Sequence, residues 1–265
     1  MNTEKAELFT PAPEWSGRSD GPGPEHARWH SVINQSTDSP APITLLGFAS
    51  DEGVLRNGGR QGAAAGPAAL RSALGSLAVH HKHALADAGT ITTQADDLDG
   101  AHDALSDKVQ KLVEAGTLPI ILGGGHETAF GSHRGLYRAV GATKIVNLDA
   151  HFDLRRADQA TSGTPFKQIS ELTDDFDYTV LGISRPNNTA VLFDEAESLG
   201  VAITLDEELV NLSPAECGEL AARATEGKDK VHLSIDLDVL PASTAPGVSA
   251  PASLGVSYER IRAMA

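Results

Sequence analysis

Six residues in three short clusters could do chemistry together: His126 in GGGHE, Asp149, His151 and Asp153 in NLDAHFD, and Asp236 and Asp238 in SIDLD. All are hard oxygen or imidazole donors, the side chains that hold divalent cations. Positions two apart on an extended chain project from the same face. Asp149, His151 and Asp153 can therefore converge on one point, and so can Asp236 and Asp238. Four aspartates held together would repel strongly unless about two divalent cations offset their charge. A carboxylate-rich set with a minority of imidazole suits Mn(II) better than zinc, which more often takes His and Cys in tetrahedral sites. The set predicts a site for two manganese ions.

The clusters differ in how much each says alone. GGGHE alone says little, because a glycine-rich turn after a strand with a histidine is as often structural as ligating. Alternating Asp, His and Asp at a buried strand end is costly unless something binds them. The other histidines have less to offer: the tract His80, His81 and His83 reads as solvated surface, and His26, His30, His102, His133 and His232 have no partner at ligand spacing. GRQGAAAGP looks like a phosphate-cradling loop but lacks both the Lys-Ser/Thr of a P-loop and the GxGxxG register, which argues against a nucleotide.

Each metal-ligand cluster follows an apolar run, LPIIL, KIVNL or VHLSI, of the kind that forms buried strands of a parallel sheet. In an open α/β sheet, ligands gather at the carboxyl ends of such strands. Further strands are expected at 43–49, 88–92, 178–184 and 200–205, beside those at 118–123, 144–149 and 230–236. Between them, segments such as AHDALSDKVQKLVEAG and SPAECGELAARATEG have helical periodicity, with Ser213 as a cap before Pro214. Alternating strands and helices predict an α/β fold: a doubly wound, three-layer αβα arrangement with a mainly parallel sheet. Residues 1–40, rich in Pro, Gly and charge, read as an irregular N-terminal arm, and 41–265 as a single domain.

The 265 residues suit one large α/β domain or two small ones, of which one is the simpler reading, and 40% apolar content is ample for a core. A net charge of −15 argues against nucleic acid as partner and leaves a small polar substrate. Cys217 is the single cysteine, which excludes an intrachain disulfide and points to the cytoplasm. The N-terminus has no apolar signal core, and no run of ~18 apolar residues suggests a membrane span.

Through NGGRQGAAAGP, GGGHE, DAHFD and DLDVLP, the sequence from about residue 40 resembles the ureohydrolase family of arginase, agmatinase and formimidoylglutamase. WSGRSDGPGPEHARWH, LGGGHETAFGSHRGL, SGTPFKQI, GISRPNNTAVLF and SIDLDVLPASTAPGVSAPA are most similar to the formimidoylglutamase branch. Where arginases and agmatinases have a further Asp in DxDxxDP, this chain has Leu240 before Pro241. The resemblance implies an eight-stranded, mainly parallel sheet and a binuclear manganese centre in each subunit of a trimer or hexamer. It would place His126 and Asp153 on the first metal, His151 and Asp238 on the second, and Asp149 and Asp236 between them.

The implied reaction is hydrolysis of N-formimidoyl-L-glutamate to L-glutamate and formamide, a step of histidine degradation. Asp153 is the expected proton relay. A dicarboxylate substrate needs cationic and polar anchors, for which Arg155, Arg60 and Arg185 are candidates, with Asn57 and Ser162 as helpers. Alternatives are an agmatinase or other guanidino-acid hydrolase releasing urea, and an inactive metal-binding fragment or subunit. Arg155 and Arg156 disfavour a cationic substrate.

Two departures from the family pattern stand out. No histidine lies between His151 and His232, and Phe166 occupies the neighbourhood where arginases carry a proton-shuttling histidine. GVSYERIRAMA starts a helix and stops after about two turns, which predicts a chain lacking its last strand and helix and, with them, a carboxylate that grips the amidine. If the chain stops at Ala265, weak or no activity is expected.

Overall fold

The apolar runs become strands at nearly the expected places. A computed structural model describes residues 8–35, 41–80 and 83–265. Parts of the expected arm, 1–7 and 36–40, and His81 of the histidine tract lie outside the described residues. Among the described residues eight strands form: β1 (Phe9–Thr10), β2 (Ile43–Ala49), β3 (Leu85–Thr92), β4 (Leu118–Leu122), β5 (Lys144–Leu148), β6 (Asp177–Ile183), β7 (Ala202–Leu205) and β8 (Val231–Ile235). They fall into two four-stranded sheets in two compact units. One unit holds the described residues up to Gly53 together with Gln61–Ala139, the other Val54–Arg60 with Val140–Ala265.

In the first unit the strand order is β1-β3-β2-β4, with β2 parallel to both neighbours and β1 antiparallel to β3. The arm is thus not wholly irregular, and the two residues of β1 are too few to show an alternating pattern in the sequence. The arm is also tied down by a buried polar cluster: Trp15 Nε1 donates to Asp87 Oδ2 at 2.9 Å, and the Arg71 fork donates to both Asp87 oxygens at 2.7 and 2.8 Å. Asp87 and Arg71 are both buried, so each charge depends on the other. Gly47 sits where β2 slips register, and a Cβ there would come within 2.6 Å of Thr90 Oγ1.

In the second unit all strands are parallel, in the order β7-β6-β5-β8. β5 is central, hydrogen-bonded to β6 on one side and β8 on the other, and is buried along most of its length. One face is covered by the helices Pro214–Ala224 and Tyr258–Met264, whose Cys217, Ala221, Ile261 and Met264 meet Val146, Leu148 and Leu181. Ser213 caps the first of these helices as expected: its Oγ accepts the Glu216 N–H while Glu216 Oε2 accepts the Ser213 N–H. Such a reciprocal cap contributes about 1 kcal/mol. Among the described residues no helix is long and apolar enough to cross a membrane.

Candidate metal centre

All three ligand clusters lie just beyond carboxyl ends of strands: His126 after β4, Asp149–Asp153 after β5, Asp236 and Asp238 after β8. His126 belongs to the first unit, half-buried in the turn that leads into the helix Thr128–Val140. The other five ligand candidates belong to the second.

There, β5 and β8 pair in register, Leu148 opposite Ile235, so that Asp149 and Asp236 leave the sheet side by side. Asp149, His151 and Asp238 each offer a ligand atom within 4.8 Å of the others, and Asp149 and Asp153 oxygens approach within the same limit. His151 Nδ1 is 3.1 Å from Asp238 Oδ2 and 3.6 Å from Asp149 Oδ1. Asp236 supports the turn that follows it: its Oδ1 accepts the Asp238 N–H at 2.9 Å and so caps the short 3-10 turn that carries Asp238.

The electrostatics of the Asp149, His151 and Asp238 trio call for a cation. Burial opposes a charge on His151, but hydrogen bonds and charge from Asp149 and Asp238 outweigh it and raise its pKa. Burial, reinforced by Asp149, pushes the Asp238 carboxyl upward. Two buried carboxylates thus share one imidazole, and Asp238 Oδ1 is buried with no hydrogen-bond partner. A buried acceptor left unmade costs about 1–3 kcal/mol, which a divalent cation would remove. The donor set therefore fits hard divalent metal ions.

Asp153 has a further mark of a functional position. Its φ is 49°, one of two non-glycine residues in the left-handed region among those described. Such backbone strain persists where surrounding structure over-determines it, and it clusters at functional sites. Here the Asp153 carbonyl accepts the Phe166 N–H at 3.2 Å and the Arg155 N–H donates to the Gly163 carbonyl at 2.9 Å, folding 153–166 back on itself.

That fold brings three of the five expected substrate anchors together. Asn57 Nδ2 donates to Ser162 Oγ at 3.1 Å, and a Cβ at Gly163 would meet both Arg155 Cδ at 3.0 Å and Asn57 Nδ2 at 3.2 Å, so the two side chains lie close to the same point. Arg155 and Asn57 are exposed. The remaining two are engaged elsewhere: Arg60 donates to the carbonyls of Pro246, Gly247 and Val248, and Arg185 pairs with Glu207 at 3.6 Å and lies over the Phe193 ring. Arg156 is held by Glu195 at 2.9 Å. His80 and His83 are exposed, as a solvated tract should be.

Several polar residues beside the ligands are not singled out by the sequence, although Glu127 lies in GGGHE and Asn188 in GISRPNNTAVLF. Glu127, next to His126, is fully buried; its Oε1 accepts Ser50 Oγ–H at 2.9 Å and the Gly53 N–H at 3.0 Å, and burial raises its pKa to about 7. It pins the loop leaving β2 against the turn leaving β4. Asn147, Tyr178 and Asn188 surround the Asp149–Asp153 stretch: Asn188 Nδ2 donates to the Ala150 and Ser184 carbonyls at 2.8 and 2.9 Å, and its Oδ1 accepts the Phe152 N–H at 3.2 Å. The one sequence signal for Asn147 is a polar residue inside the apolar run KIVNL.

Comparison with known proteins agrees with this architecture. The formimidoylglutamase of Corynebacterium efficiens is 49% identical over 255 residues, covering 94% of this chain and 81% of that protein. The formimidoylglutamase of Citrobacter koseri is also 49% identical over 255 residues, covering 91% and 80%. Among solved structures, Trypanosoma cruzi formiminoglutamase with Mn2+ matches with a TM-score of 0.80 at 31% identity, over 89% of this chain and 82% of that one. Proclavaminate amidino hydrolase from Streptomyces clavuligerus matches with a TM-score of 0.75 at 25% identity, over 88% and 81%. A family model described as the arginase family spans residues 41–265, and with this coverage the chain belongs to the arginase family.

Proposed function

We propose that the protein hydrolyses N-formimidoyl-L-glutamate to L-glutamate and formamide, in histidine degradation, using two Mn2+ ions per chain. The observation that carries this is the convergence of Asp149, His151 and Asp238, each offering a ligand atom within 4.8 Å of the others, in a cluster where Asp238 Oδ1 is buried without a hydrogen-bond partner. The formimidoylglutamases that match over most of the chain support the choice of substrate. The family match covers residues of both units, which supports reading 41–265 as one catalytic domain.

His126 and Asp153 would hold one ion, His151 and Asp238 the other, with Asp149 and Asp236 serving both. When bound, divalent cations lower the pKa of water and so supply a nucleophile near neutral pH. Water adds to the amidine carbon, the bond from that carbon to the glutamate nitrogen breaks, and the proton lost by the water ends on the departing amine. Asp153, on its strained backbone, is the residue to hold that proton in between. The position that carries a shuttling histidine in arginases is near Phe166, which is buried against Tyr178 and offers no proton. Arg155, with Asn57 and Ser162 beside it, would fix a substrate carboxylate. The protein is cytoplasmic and a trimer or hexamer of identical chains, which light scattering on the purified protein would check.

The experiment is a comparison of substrates at equal Mn2+. Formamide and glutamate from N-formimidoyl-L-glutamate, with no urea from agmatine or guanidino acids, is the expected result. Urea release from a guanidino substrate at a higher kcat/KM would replace this reading with that of a guanidino-acid hydrolase.

A further inference from the structure

We propose that Asn147 and Tyr178 are positioning residues that lock the Asp149 carboxylate in the orientation a metal-bridging ligand needs. The inference rests on the manganese reading above. It follows from a chain of hydrogen bonds whose direction is fixed at one end.

The fixed end is the backbone carbonyl of Phe152, which can only accept. Tyr178 O–H donates to it across 3.2 Å. Burial, together with the nearby Asp149 charge, pushes the Tyr178 phenol well above its ordinary pKa, so the proton stays on it. With its hydrogen committed, the phenol oxygen has only lone pairs for its other neighbour. Asn147 must therefore turn its amide nitrogen, not its oxygen, toward Tyr178, at 3.1 Å. The second hydrogen of that nitrogen then points at Asp149 Oδ2, 3.0 Å away. Asp149 Oδ1 meanwhile accepts the His151 N–H at 2.7 Å. Each carboxylate oxygen thus meets one fixed donor, and rotation of the carboxylate would break both bonds.

The opposite amide orientation would set two oxygens against each other at Asp149 and again at Tyr178. The arrangement holds even though it leaves Asn147 Oδ1 buried without a partner. A purely structural asparagine at that place would not spend both donors and strand its acceptor. The relay also closes on the ligand segment itself, because Phe152 lies between His151 and Asp153. Tyr178 is held rigid by its stacking on Phe166, with ring centroids 4.5 Å apart. Asn147 lies near the end of β5 and Asp149 is the first residue beyond it, two positions on along an extended chain, so the backbone itself sets the distance between donor and carboxylate.

The test uses Asn147→Leu, Tyr178→Phe and the double variant, each measured for Mn2+ affinity by calorimetry, for Mn–Mn spin coupling by electron paramagnetic resonance, and for metal-free melting temperature. Partners of metal ligands typically change affinity roughly 10–100-fold when removed. Asn147→Leu is expected to weaken Mn2+ binding within that range and to alter the coupled spectrum. Tyr178→Phe, which frees the amide to turn, should show a smaller loss of the same kind. In the double variant, loss of the phenol should add nothing to the loss at Asn147, since the two act in series. Wild-type affinity and an unchanged spectrum in a folded Asn147→Leu protein would overturn the proposal; if that variant does not fold, the same result in Tyr178→Phe would do so. Wild-type protein that binds no Mn2+ would overturn the metal reading and this inference with it.

Discussion

Replacing Asp153 by glycine should make the metal-free protein more stable than replacing it by alanine, the reverse of the usual order. Elsewhere, glycine costs roughly 0.5–1 kcal/mol relative to alanine, because the unfolded chain gains freedom. At Asp153 the backbone φ is 49°, where a Cβ crowds the following carbonyl and costs an L-residue roughly 1–2 kcal/mol. Both variants lose the carboxylate, so every side-chain interaction of Asp153 cancels in the comparison. The net expectation is that glycine is favoured by about 0.5–1 kcal/mol. An unfolding entropy of roughly 2.1 cal/mol/K per residue, taken over the 265 residues, translates this into a Tm higher by about 1–2 °C. The assay is differential scanning calorimetry with excess chelator, backed by urea denaturation, on both variants side by side. Alanine equal to or more stable than glycine would refute the claim that the fold holds this position under strain. Both variants should also bind less Mn2+ than the wild type, which separates what the strained backbone costs from what the carboxylate does.

Other expectations are as specific. His133 is buried and its pKa is lowered to about 4, so it stays neutral in the folded protein while it takes up a proton in the unfolded one below about 6.5. Stability tied to it is complete above pH 6.5 and falls by up to about 3 kcal/mol as pH drops toward 4; His133→Phe should flatten urea stability over that window, and an unchanged slope would assign the acid loss elsewhere. Asp87→Asn strands the buried Arg71 guanidinium and should lower unfolding free energy by roughly 3–5 kcal/mol in denaturant titrations; a loss under 1 kcal/mol would mean that the pair is open to water. Arg155→Met should raise KM for formimidoylglutamate about tenfold or more with a smaller change in kcat, as loss of a charged hydrogen bond of roughly 1.5–3 kcal/mol requires. A selective fall in kcat with KM unchanged would instead put Arg155 among groups acting on the transition state.

The strands were legible because near-continuous apolar runs such as KIVNL and ITLLGFA form strands buried along nearly their whole length, whereas LPIIL and VHLSI, expected to be buried as well, form strands that expose every other residue. The ligand clusters were legible because alternation of two along an extended chain shows in the letters themselves. Tyr178 and Glu127 were not, since their partners lie 26 to 77 residues away, and Asn147 was not, because the orientation of its amide toward Asp149 is set by Tyr178, 31 residues on. Nor does spacing disclose the left-handed backbone at Asp153, which follows from how 153–166 closes on itself. The arginine candidates show the same limit: sequence offers Arg60, Arg155 and Arg185 alike, and only the fold reveals that two of them are occupied by Pro246–Val248 and Glu207.

The most direct test is to strip the protein with chelator, return Mn2+ in measured equivalents and follow formamide release from N-formimidoyl-L-glutamate. No product without metal, a rise that ends at two equivalents per chain and no urea at any point are expected, whatever the absolute rate. Formamide release without metal, or saturation at one equivalent, would contradict the account.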